Sequence, residues 1–535
     1  MKILHTLCVG MILYISVSVI FPSDSKLSIT ADGDSLFTGI QVHNINIRFS
    51  QTNYWDSLIF YYNQGLEQYI SATVIANGQT FNNVGVRLKG NSSFTAPNNK
   101  KSFRLSFNEF VSGQKWNGLK GVHLNNFWND PSFIREKLHL DYCQTAGIAA
   151  PRCNYTRLYI NDTLFAFYSL VEHVNSNFLT SRFGTNEGDY FKAVDGIGTS
   201  SELFSDFKWY GNDTAQYINR YELKSDYFPG TWQKLVSFID TINHSSNTAA
   251  SYFNNINLNS YYKAMAVDNL LGNMDAYVYS GRNFYAYFPP PSNKMEWIVW
   301  DASLSIGALP GGPSNIETLP VTYVESDTGR PLLSKIMNDP ILKNEYLYAF
   351  CNIFLYNFTT AKLFPKIDSI ANIIRPFVYE DPRKMFSNAQ FETNIVSDII
   401  VSGSRKPGLK SYISLRRSSI QSQFNTLGIN CEVGIPEENI NVNSFDLMQN
   451  YPNPFNPSTN IEYSLYKSGN VTLKIYDNLG KEVYSLVNNL YQVQGNYIVS
   501  WNGTNNKGVL VPSGMYFYKL ETGINSVTKK MLLLK

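Results

Sequence analysis

The sequence is poor in histidine and cysteine, and neither sign of charge predominates. Six histidines and five cysteines occur among 535 residues, and none of them has the spacing of a zinc site. Charged residues make up 16% of the chain and the formal net charge is +2. This balance gives no electrostatic reason to expect a nucleic acid or an anionic membrane as partner. The motifs Gly-x-Ser-x-Gly, HExxH, Gly-Lys-Ser/Thr and GxGxxGxV are also missing, which argues against the common hydrolases and ordinary kinases.

Only one long apolar run is present, and it lies at the N-terminus. Lys2 precedes an apolar stretch of about residues 3–21, and a polar segment follows it. This order is typical of a secretory signal peptide, which we place at residues 1–22. An N-terminal membrane anchor is the alternative. No later run approaches the roughly 20 apolar residues that a membrane-spanning helix needs. We therefore expect an exported chain with no transmembrane segment in its mature form.

Four cysteines remain after the predicted signal peptide, and export would permit them to form disulfides. They are Cys143, Cys153, Cys351 and Cys431. Proximity in the sequence favours a Cys143–Cys153 pair, and buried free thiols are the alternative. The pairing therefore stays open.

Composition and patterning predict a globular α+β chain with two domains. Hydrophobic residues make up 44% and aromatic residues 15%, which is typical of a folded chain. Residues 36–430 mix strand and helix patterns, residues 431–446 form a polar linker, and residues 447–535 alternate as short strands do. The last region is expected to be a small all-β, immunoglobulin-like sandwich. Its strands are predicted at 460–466, 471–476, 482–487, 496–501, 514–521 and 527–534.

The C-terminal region also resembles a known family. The segments LMQNYPNPFNPSTNIEYSL, LKIYDNLGKEV, GNYIVSWNGTNNKGVLVPSGMYFYKLE and KKMLLLK occur in this order. They are similar to the C-terminal sorting domain of type IX secretion cargo. The resemblance implies recognition by the type IX secretion machinery and passage through the periplasm and outer membrane of a Gram-negative bacterium. The protein would then be secreted or held at the cell surface. An accessory immunoglobulin-like module is the alternative.

Several cations lie on neighbouring predicted strands around the turn GNSS. They are Arg87, Lys89, Lys100, Lys101 and Arg104. Cations that share one face of a sheet can bind phosphate oxygens, and backbone N–H groups of the turn can assist them. The alternative is a solvated edge strand whose charges prevent pairing with other chains.

Three carboxylates and one amide lie at the ends of predicted strands and helices in the rest of the main domain. Glu172 closes an apolar strand and could pair with a catalytic lysine or start the next helix at the surface. Asp275 leaves a helix and Asn283 precedes a strand, which suits a base and a metal-binding amide but also suits ordinary turns. Asp301 follows the bulky segment WIVW, where an uncompensated carboxylate would be costly. It could bind a cation or start a hydrogen-bonded turn.

The order of these motifs resembles the CotH kinase family of atypical secreted kinases. The motifs are VGVRLKGNSS, KKSFRLSF, FIREKLHLDYCQTAGIAAPRCNYTRLYIND, LLGNMDAY and WIVWDASLSIG. The resemblance implies a two-lobed, protein-kinase-like fold with a β-rich N-lobe and a helical C-lobe. It also implies use of ATP with Mg²⁺ or Mn²⁺.

The resemblance assigns roles to the cations and to one carboxylate. Lys101 looks like the lysine that contacts the nucleotide phosphates, with Arg87 and Lys89 as helpers. Glu172 looks like the ion-pair partner of Lys101.

By the same resemblance, the remaining polar residues would bind the metal ion and include the catalytic aspartate. Asp275 falls where the family has its catalytic aspartate, Asn283 is a candidate for binding both metal and nucleotide, and Asp301 looks like the metal-binding aspartate. The family usually has a second acid two residues after that aspartate, whereas this chain has Ser303. A serine supplies no charge to the metal, so this departure bears directly on activity.

Two functions follow from the sequence. The first is an exported kinase that transfers the γ-phosphoryl group of ATP to Ser/Thr hydroxyls of surface or extracellular proteins. The second is a catalytically inactive adhesion or matrix-building protein on the same fold, which the neutral Ser303 would suit.

Overall fold

The computed structural model describes most of the chain beyond the predicted signal peptide. The described residues are 32–194, 204–226, 228–326, 329–429, 431, 445–465, 469–492, 495–522 and 525–534. The predicted signal peptide and nearly all of the predicted linker lie outside these ranges. Internal contacts divide the chain into two units, Met1–Gly434 and Ile435–Lys535, which are described separately below.

The first unit begins with a closed barrel of seven strands. Their order around the barrel is β1-β2-β3-β4-β5-β7-β6, and a parallel pairing of β1 with β6 closes it. All other neighbours are antiparallel. The strands are β1 (Val42–Arg48), β2 (Ile70–Ala76), β3 (Gln79–Lys89), β4 (Ser102–Ser106), β5 (Gly121–Asn125), β6 (Cys153–Ile160) and β7 (Thr163–Glu172).

The two faces of the barrel wall differ in chemistry. Apolar side chains that alternate along the strands, such as Val86, Phe103 and Leu124, fill the interior. The residues between them point outward, because successive side chains of a strand alternate between its faces. In β4 and β5 these outward residues are also buried, since the rest of the unit covers this part of the wall. Polar residues such as Arg104 and His123 are therefore enclosed.

The remainder of the first unit combines a second sheet with helices. This sheet has the strand order β11-β10-β8-β9, and β12 and β13 form a separate hairpin. The strands are β8 (Asp189–Ala193), β9 (Tyr221–Leu223), β10 (Phe284–Phe288), β11 (Glu296–Val299), β12 (Ile399–Val401) and β13 (Ser404–Lys406). The helices are α1 (Asp34–Phe37), α2 (Tyr54–Asn63), α3 (Arg135–Thr145), α4 (Ser176–Phe183), α5 (Ala215–Ile218), α6 (Thr231–His244), α7 (Thr248–Asn255), α8 (Leu258–Leu270), α9 (Tyr277–Ser280), α10 (Pro331–Asn338), α11 (Pro340–Asn357), α12 (Thr360–Glu380), α13 (Asn388–Val396) and α14 (Leu409–Thr426).

The second unit is a sandwich of two antiparallel sheets. One has the order β14-β15-β18 and the other β17-β16-β19-β20. Alternating apolar residues from both, including Ile461, Tyr463, Leu473 and Tyr518, form one shared core. The strands are β14 (Phe445–Leu447), β15 (Thr459–Leu465), β16 (Gly469–Tyr476), β17 (Glu482–Gln492), β18 (Gly495–Trp501), β19 (Gly514–Thr522) and β20 (Asn525–Leu533). The α+β class and the all-β C-terminal region are thus confirmed.

No helix in the described part of the chain combines the length and the apolar character that crossing a bilayer requires.

The disulfide joins cysteines that are far apart in the sequence. Cys351 and Cys431 are bonded, with a sequence separation of 80. Cys143 and Cys153 are buried free thiols. The favoured Cys143–Cys153 pair is therefore wrong, because α3 and β6 enclose each thiol separately in the core, and sequence proximity does not fix side-chain direction.

Removing this disulfide is expected to destabilise the first unit. Because the bond closes a long loop, replacing Cys351 and Cys431 by serine should lower the free energy of unfolding by about 2–5 kcal/mol. Denaturant unfolding of the full chain with and without a reductant measures this. The reductant should lose its effect in the double serine variant and keep it in a Cys143→Ala, Cys153→Ala control. An equal response of the two variants would contradict the assigned pairing.

A buried acid in α8 makes stability depend on pH. Asp268 is 2% exposed, accepts a hydrogen bond from Asn273 Nδ2 (2.9 Å) and lies 3.4 Å from His139 Nε2. Burial raises the pKa of Asp268 to about 7 from its ordinary value of 3.8. The folded state thus holds a proton that the unfolded chain releases, so this contribution to stability is complete below the ordinary pKa and lost as pH rises to about 7.

An Asp268→Asn variant should remove this dependence. Between about pH 5 and about pH 8, the free energy of unfolding of the wild type should fall by roughly 2–3 kcal/mol more than that of the variant. Denaturant titrations at both pH values provide the measurement. Parallel pH profiles of the two proteins would show that Asp268 is ionised in the folded state.

Candidate functional site

A buried network of polar side chains begins at the end of β3. The Nζ atom of Lys89 donates a hydrogen bond to Asn125 Oδ1 (2.7 Å) and lies 5.6 Å from the centre of the Trp300 ring. Lys89 points outward because the apolar neighbours Val86 and Leu88 occupy the barrel interior. The lysine therefore faces the helical half of the first unit.

Glu136 of α3 completes this network. Its Oε1 atom accepts a hydrogen bond from Asn125 Nδ2 (2.7 Å) and its Oε2 atom accepts one from Ser169 Oγ (2.6 Å). The carboxylate is 3% exposed, and burial together with the charge of Asp301 raises its pKa to about 7. The amide of Asn125 thus links the ammonium group of Lys89 to the carboxyl group of Glu136.

Asp301 adds a second carboxylate to the same cluster. Burial lowers the pKa of Lys89, and the charges of Asp301 and Glu136 act in the opposite direction. One cation therefore lies close to two acidic side chains. The cations Lys192 and Arg87 also act on Lys89, so the cluster combines both signs of charge.

The backbone of Asp301 is held in a tight turn. The residue follows Trp300, directly after β11, and has a φ of 47°. Its Oδ1 atom accepts hydrogen bonds from the Ser303 hydroxyl (2.7 Å) and the Ser303 N–H (3.4 Å). The sequence analysis gave two hypotheses for Asp301, namely that it starts a hydrogen-bonded turn or that it binds a cation. The hydrogen bonds to Ser303 show that the turn is present. Cation binding is part of the proposed function.

Asp275 and Asn283 lie together beside this turn. Asn283 Nδ2 donates to the Asp275 carbonyl oxygen (2.7 Å) and to Asp275 Oδ2 (3.0 Å). The Asn283 carbonyl oxygen in turn accepts a hydrogen bond from the Trp300 N–H (3.2 Å). The last contact places Asn283 next to the strand end that carries Asp301. The pair also has a cation nearby, because Arg282 Nε lies 3.9 Å from Asp275 Oδ1.

The donor set suits magnesium better than zinc. No group of three or more His, Cys, Asp or Glu side chains arranged for a metal occurs in the described ranges. Mg²⁺ is usually held by one or two carboxylates together with substrate phosphates and water. The Asp301 carboxylate and the Asn283 side-chain oxygen are ligands of this hard, oxygen-donor type. The donor types of Asp301 and Asn283 are thus those that Mg²⁺ prefers.

The predicted ion pair between Lys101 and Glu172 is not formed. Lys101 Nζ donates to the carbonyl oxygens of Phe94 and Ala96 (3.1 Å for the latter). Glu172 is bound by two guanidinium groups, those of Arg152 (2.5 Å) and Arg182 (3.0 Å).

The strand register explains why neither residue joins the network around Lys89. In the paired strands β5 and β7, Glu172 lies opposite Val122, which points into the barrel. Lys101 lies two residues before Phe103, which also points inward, so the two side chains share one face. Both residues thus lie on the wrong side of their strands to meet the outward-facing network around Lys89.

Two other predicted cations have protein partners. Arg87 forms an ion pair with Glu67 (2.7 Å) and lies over the Tyr69 ring. Lys100 forms an ion pair with Asp381 (2.6 Å) in which both side chains are fully buried. Lys100 therefore ties the barrel to the C-terminal end of α12 and is not available to a ligand.

Glu136 and Asn125 are functional candidates that the sequence reasoning missed. Glu136 lies in the motif FIREKLHLDYCQTAGIAAPRCNYTRLYIND, but charged residues in a helix normally indicate a solvated face, and Asn125 lies in no motif singled out above. Here α3 is buried on nearly all sides, including Arg135, Glu136 and Lys137. The available signal for Glu136 was an acid in the first turn of a helix, and no local signal marked Asn125.

Two regions of the chain match known protein families. Residues 86–418 match the sequence profile of the CotH kinase protein family, and residues 450–534 match that of the CHU_C type IX secretion signal domain. The chain is 25% identical over 320 residues to the inner spore coat protein H of Bacillus subtilis (strain 168), a match covering 59% of this chain and 84% of that protein. It is 21% identical over 393 residues to the invasin CotH3 of Rhizopus delemar, covering 67% of this chain and 62% of the invasin.

A solved structure is similar over a short part only. Latent dimeric PorU from Porphyromonas gingivalis is 24% identical over 17% of this chain and 9% of its own length, with a TM-score of 0.15. The profile match, by contrast, spans more than half of the chain and includes Lys89, Glu136, Asp275 and Asp301. Both resemblances recognised in the sequence are confirmed. The chain belongs to the CotH kinase protein family and has a C-terminal type IX secretion signal domain.

Proposed function

We propose that this protein is an exported kinase that transfers the γ-phosphoryl group of ATP to Ser/Thr hydroxyls of surface or extracellular proteins. The observation that carries the proposal is the cluster in which Asn125 links Lys89 to Glu136, with the charge of Asp301 acting on both. Protein kinases require the same three elements: a strand lysine, a helix glutamate that fixes it, and a metal-binding aspartate. We assign these roles to Lys89, Glu136 and Asp301.

The arrangement supports a two-lobed, kinase-like plan. The barrel would act as the N-lobe and supply Lys89, while the second sheet and its helices would act as the C-lobe and supply Asp275 and Asp301. The phosphates would then lie between Lys89 and Asp301. Lys101 and Glu172, which the resemblance suggested for the phosphate contact, would serve the stability of the barrel.

The residues of the chain would divide the reaction among them. Lys89 would position the nucleotide phosphates, and Glu136 would hold Lys89 through Asn125. Asp275 would orient the acceptor hydroxyl and accept its proton, with Asn283 fixing the Asp275 carboxylate. Asp301 and Asn283 would hold Mg²⁺ or Mn²⁺, which neutralises charge on the transferred group.

Ser303 sets this chain apart from the usual family pattern. Its hydroxyl donates to Asp301 Oδ1 (2.7 Å), so it orients the carboxylate without adding a second negative charge. Weaker metal binding than in relatives with two acids follows from this. The fixed orientation of Asp301 is nevertheless what a metal ligand needs.

Transfer from γ-labelled ATP by the full chain tests the proposal. We expect Mg²⁺-dependent label on serine or threonine of the chain itself and of casein as a generic acceptor. An Asp275→Asn variant should be at least about a hundredfold slower, because loss of a general base typically costs about 10²–10⁴ in rate. Equal labelling by this variant, or no labelling by the wild type with either metal, would contradict the proposal.

The second candidate is a catalytically inactive adhesion or matrix-building protein at the cell surface. The neutral Ser303 beside Asp301 favours it, and one relative is named an invasin. Retention of a glycan or matrix column by the full chain, with no shift of its melting temperature on adding Mg²⁺ and ATP, would support this function. A shift that needs both Mg²⁺ and ATP would count against it.

A further inference from the structure

A row of cationic residues crosses the outer wall of the barrel next to Lys89. Arg87 of β3 lies directly opposite Arg104 of β4, which lies directly opposite His123 of β5. Directly paired residues point to the same face, and Lys89 shares that face because it lies two residues from Arg87. Like charges directly opposite each other on neighbouring strands destabilise a sheet. This row therefore needs a compensating interaction.

Arg104 is the member whose charge the protein leaves uncompensated. It is 6% exposed, and it has no carboxylate within ion-pair distance among the described residues. Its guanidinium group donates to the Val122 carbonyl oxygen (3.3 Å) and is hydrogen-bonded to Tyr69, which are both neutral partners. Burying a charge without an opposite charge is costly. A buried arginine without a counter-charge either fills space in the core or binds a negatively charged ligand.

The local backbone makes room for this guanidinium group. Gly121 lies at the start of β5, and a Cβ atom at that position would lie 2.7 Å from Arg104 Nη1. The same Cβ atom would lie within contact distance of the Leu105 carbonyl oxygen, so a larger residue would have to displace both the arginine and the backbone of β4. The sequence thus provides space for a charged group that the fold itself does not neutralise.

Two buried histidines lie at the end of this row, and nearby cations act on them. His123 and His173 are hydrogen-bonded to each other (2.9 Å), and the pKa of each lies well below its ordinary value. Burial is the largest cause, and the charges of Arg104, Lys192 and Arg87 add to it at His173. The histidines are thus neutral, and His123 and Lys89 both contact the Trp300 ring.

We propose that Arg104 and Arg87 form a phosphate-binding subsite beside Lys89. The inference deepens the proposed function and rests on it for the role of the bound group, since the phosphate chain of a nucleotide would extend from Lys89 onto the two arginines. Arginine suits this task because its planar group can donate two parallel hydrogen bonds to one phosphate. The phosphate can come from the nucleotide itself or from a free polyphosphate.

Binding measured without metal isolates this subsite. The full chain in EDTA is titrated by calorimetry with sodium tripolyphosphate and, separately, with ATP. We expect binding by the wild type and at least about tenfold weaker binding by Arg104→Met, since hydrogen bonds to charged groups contribute that much. Arg48→Met is the matched control, because Arg48 lies on β1 and its side chain is 52% exposed. This control should bind as the wild type does.

The stability of the ligand-free variant separates binding from packing. Because Arg104 is buried without a counter-charge, Arg104→Met should melt at the same temperature as the wild type or higher. A lower melting temperature would show that Arg104 is structural and would overturn the proposal. If Arg104→Met does not fold, Arg87→Met gives the test, and unchanged tripolyphosphate and ATP affinity in Arg87→Met would overturn the proposal.

The titrations with tripolyphosphate and with ATP together identify the source of the phosphate. Binding of ATP alone would assign the subsite to the nucleotide, and equal binding of tripolyphosphate would assign it to the phosphate chain itself. Absence of both in the wild type would overturn the proposal. Metal-independent binding that Arg104→Met weakens, in a protein that transfers no label, would leave the subsite standing while the kinase function fails.

Discussion

An Asp301→Asn variant is expected to lose at least about a hundredfold in the rate of phosphoryl transfer, because even partners that only orient a metal ligand cost 10–100-fold when removed. The substitution removes one negative charge from the cluster around Lys89 and Glu136. It keeps the shape of the side chain. Asparagine also tolerates the φ of 47° at this position, so the turn should persist.

The loss should be specific to the metal. Raising the Mg²⁺ concentration should recover part of the rate, because the variant keeps the Asn283 oxygen and loses only affinity. Asp368→Asn is the matched control, since Asp368 is half exposed and pairs with Lys410 on the surface. The control should transfer label as the wild type does. A wild-type rate of label transfer in Asp301→Asn would show that Asp301 is not a metal ligand, and the proposed site would then lack its carboxylate for the metal.

The second large effect is expected from Lys89→Met, with Lys101→Met as its internal comparison. Lys89 Nζ is the cation of the outward-facing network, whereas Lys101 Nζ donates to backbone carbonyls of a neighbouring turn and lies over the Phe94 ring. Loss of a preorganised charge that stabilises the transition state typically costs about 10²–10³ in rate. Lys89→Met should show a loss of this size, and Lys101→Met should stay within about threefold of the wild type on the same scale.

Label transfer at saturating ATP and at limiting ATP checks both variants. The loss in Lys89→Met should be larger at limiting ATP, because the lysine also binds the ground-state phosphates. The reverse result, with an active Lys89→Met and an inactive Lys101→Met, would restore the assignment that the family resemblance suggested. The nucleotide would then have to lie elsewhere, near the turn that follows β3.

Residues whose roles depend on local sequence were predictable. Asp301 follows a short buried strand, and Asn283 and Asp275 are eight residues apart across one turn. A polar residue at the end of an apolar run is visible in the sequence because its burial would be costly. Six of the seven described strands of the C-terminal unit were found for a similar reason, since a period of two and frequent turn residues mark them, whereas β14 begins inside the predicted linker and was missed.

Residues whose roles depend on strand register were not predictable. Lys89 and Lys101 lie on neighbouring strands, and only the pairing of Lys89 with Ser102 decides which lysine faces outward. A shift of one residue exchanges the two faces of a strand. The same rule places Glu172 toward the barrel, so the acid of the network around Lys89 is Glu136, which comes from a helix.

The closed barrel adds a second reason. The pairing of β5 with β7, with β6 on the far side of β7, brings Asn125 and Ser169 together across 44 residues. No local pattern specifies such a contact. The charged surface of α3 is misleading for the same reason, because its neighbours come from distant segments and bury residues that normally remain in water.

The dissociation constant of ATP for the full chain, measured by calorimetry with and without Mg²⁺, tests the central claim most directly. The claim is that Lys89, Glu136 and Asp301 together form a nucleotide site. It predicts binding that Mg²⁺ tightens in the wild type, and at least about tenfold weaker binding in Lys89→Met. ATP binding that neither Mg²⁺ nor Lys89→Met alters, or no binding at all, would contradict it.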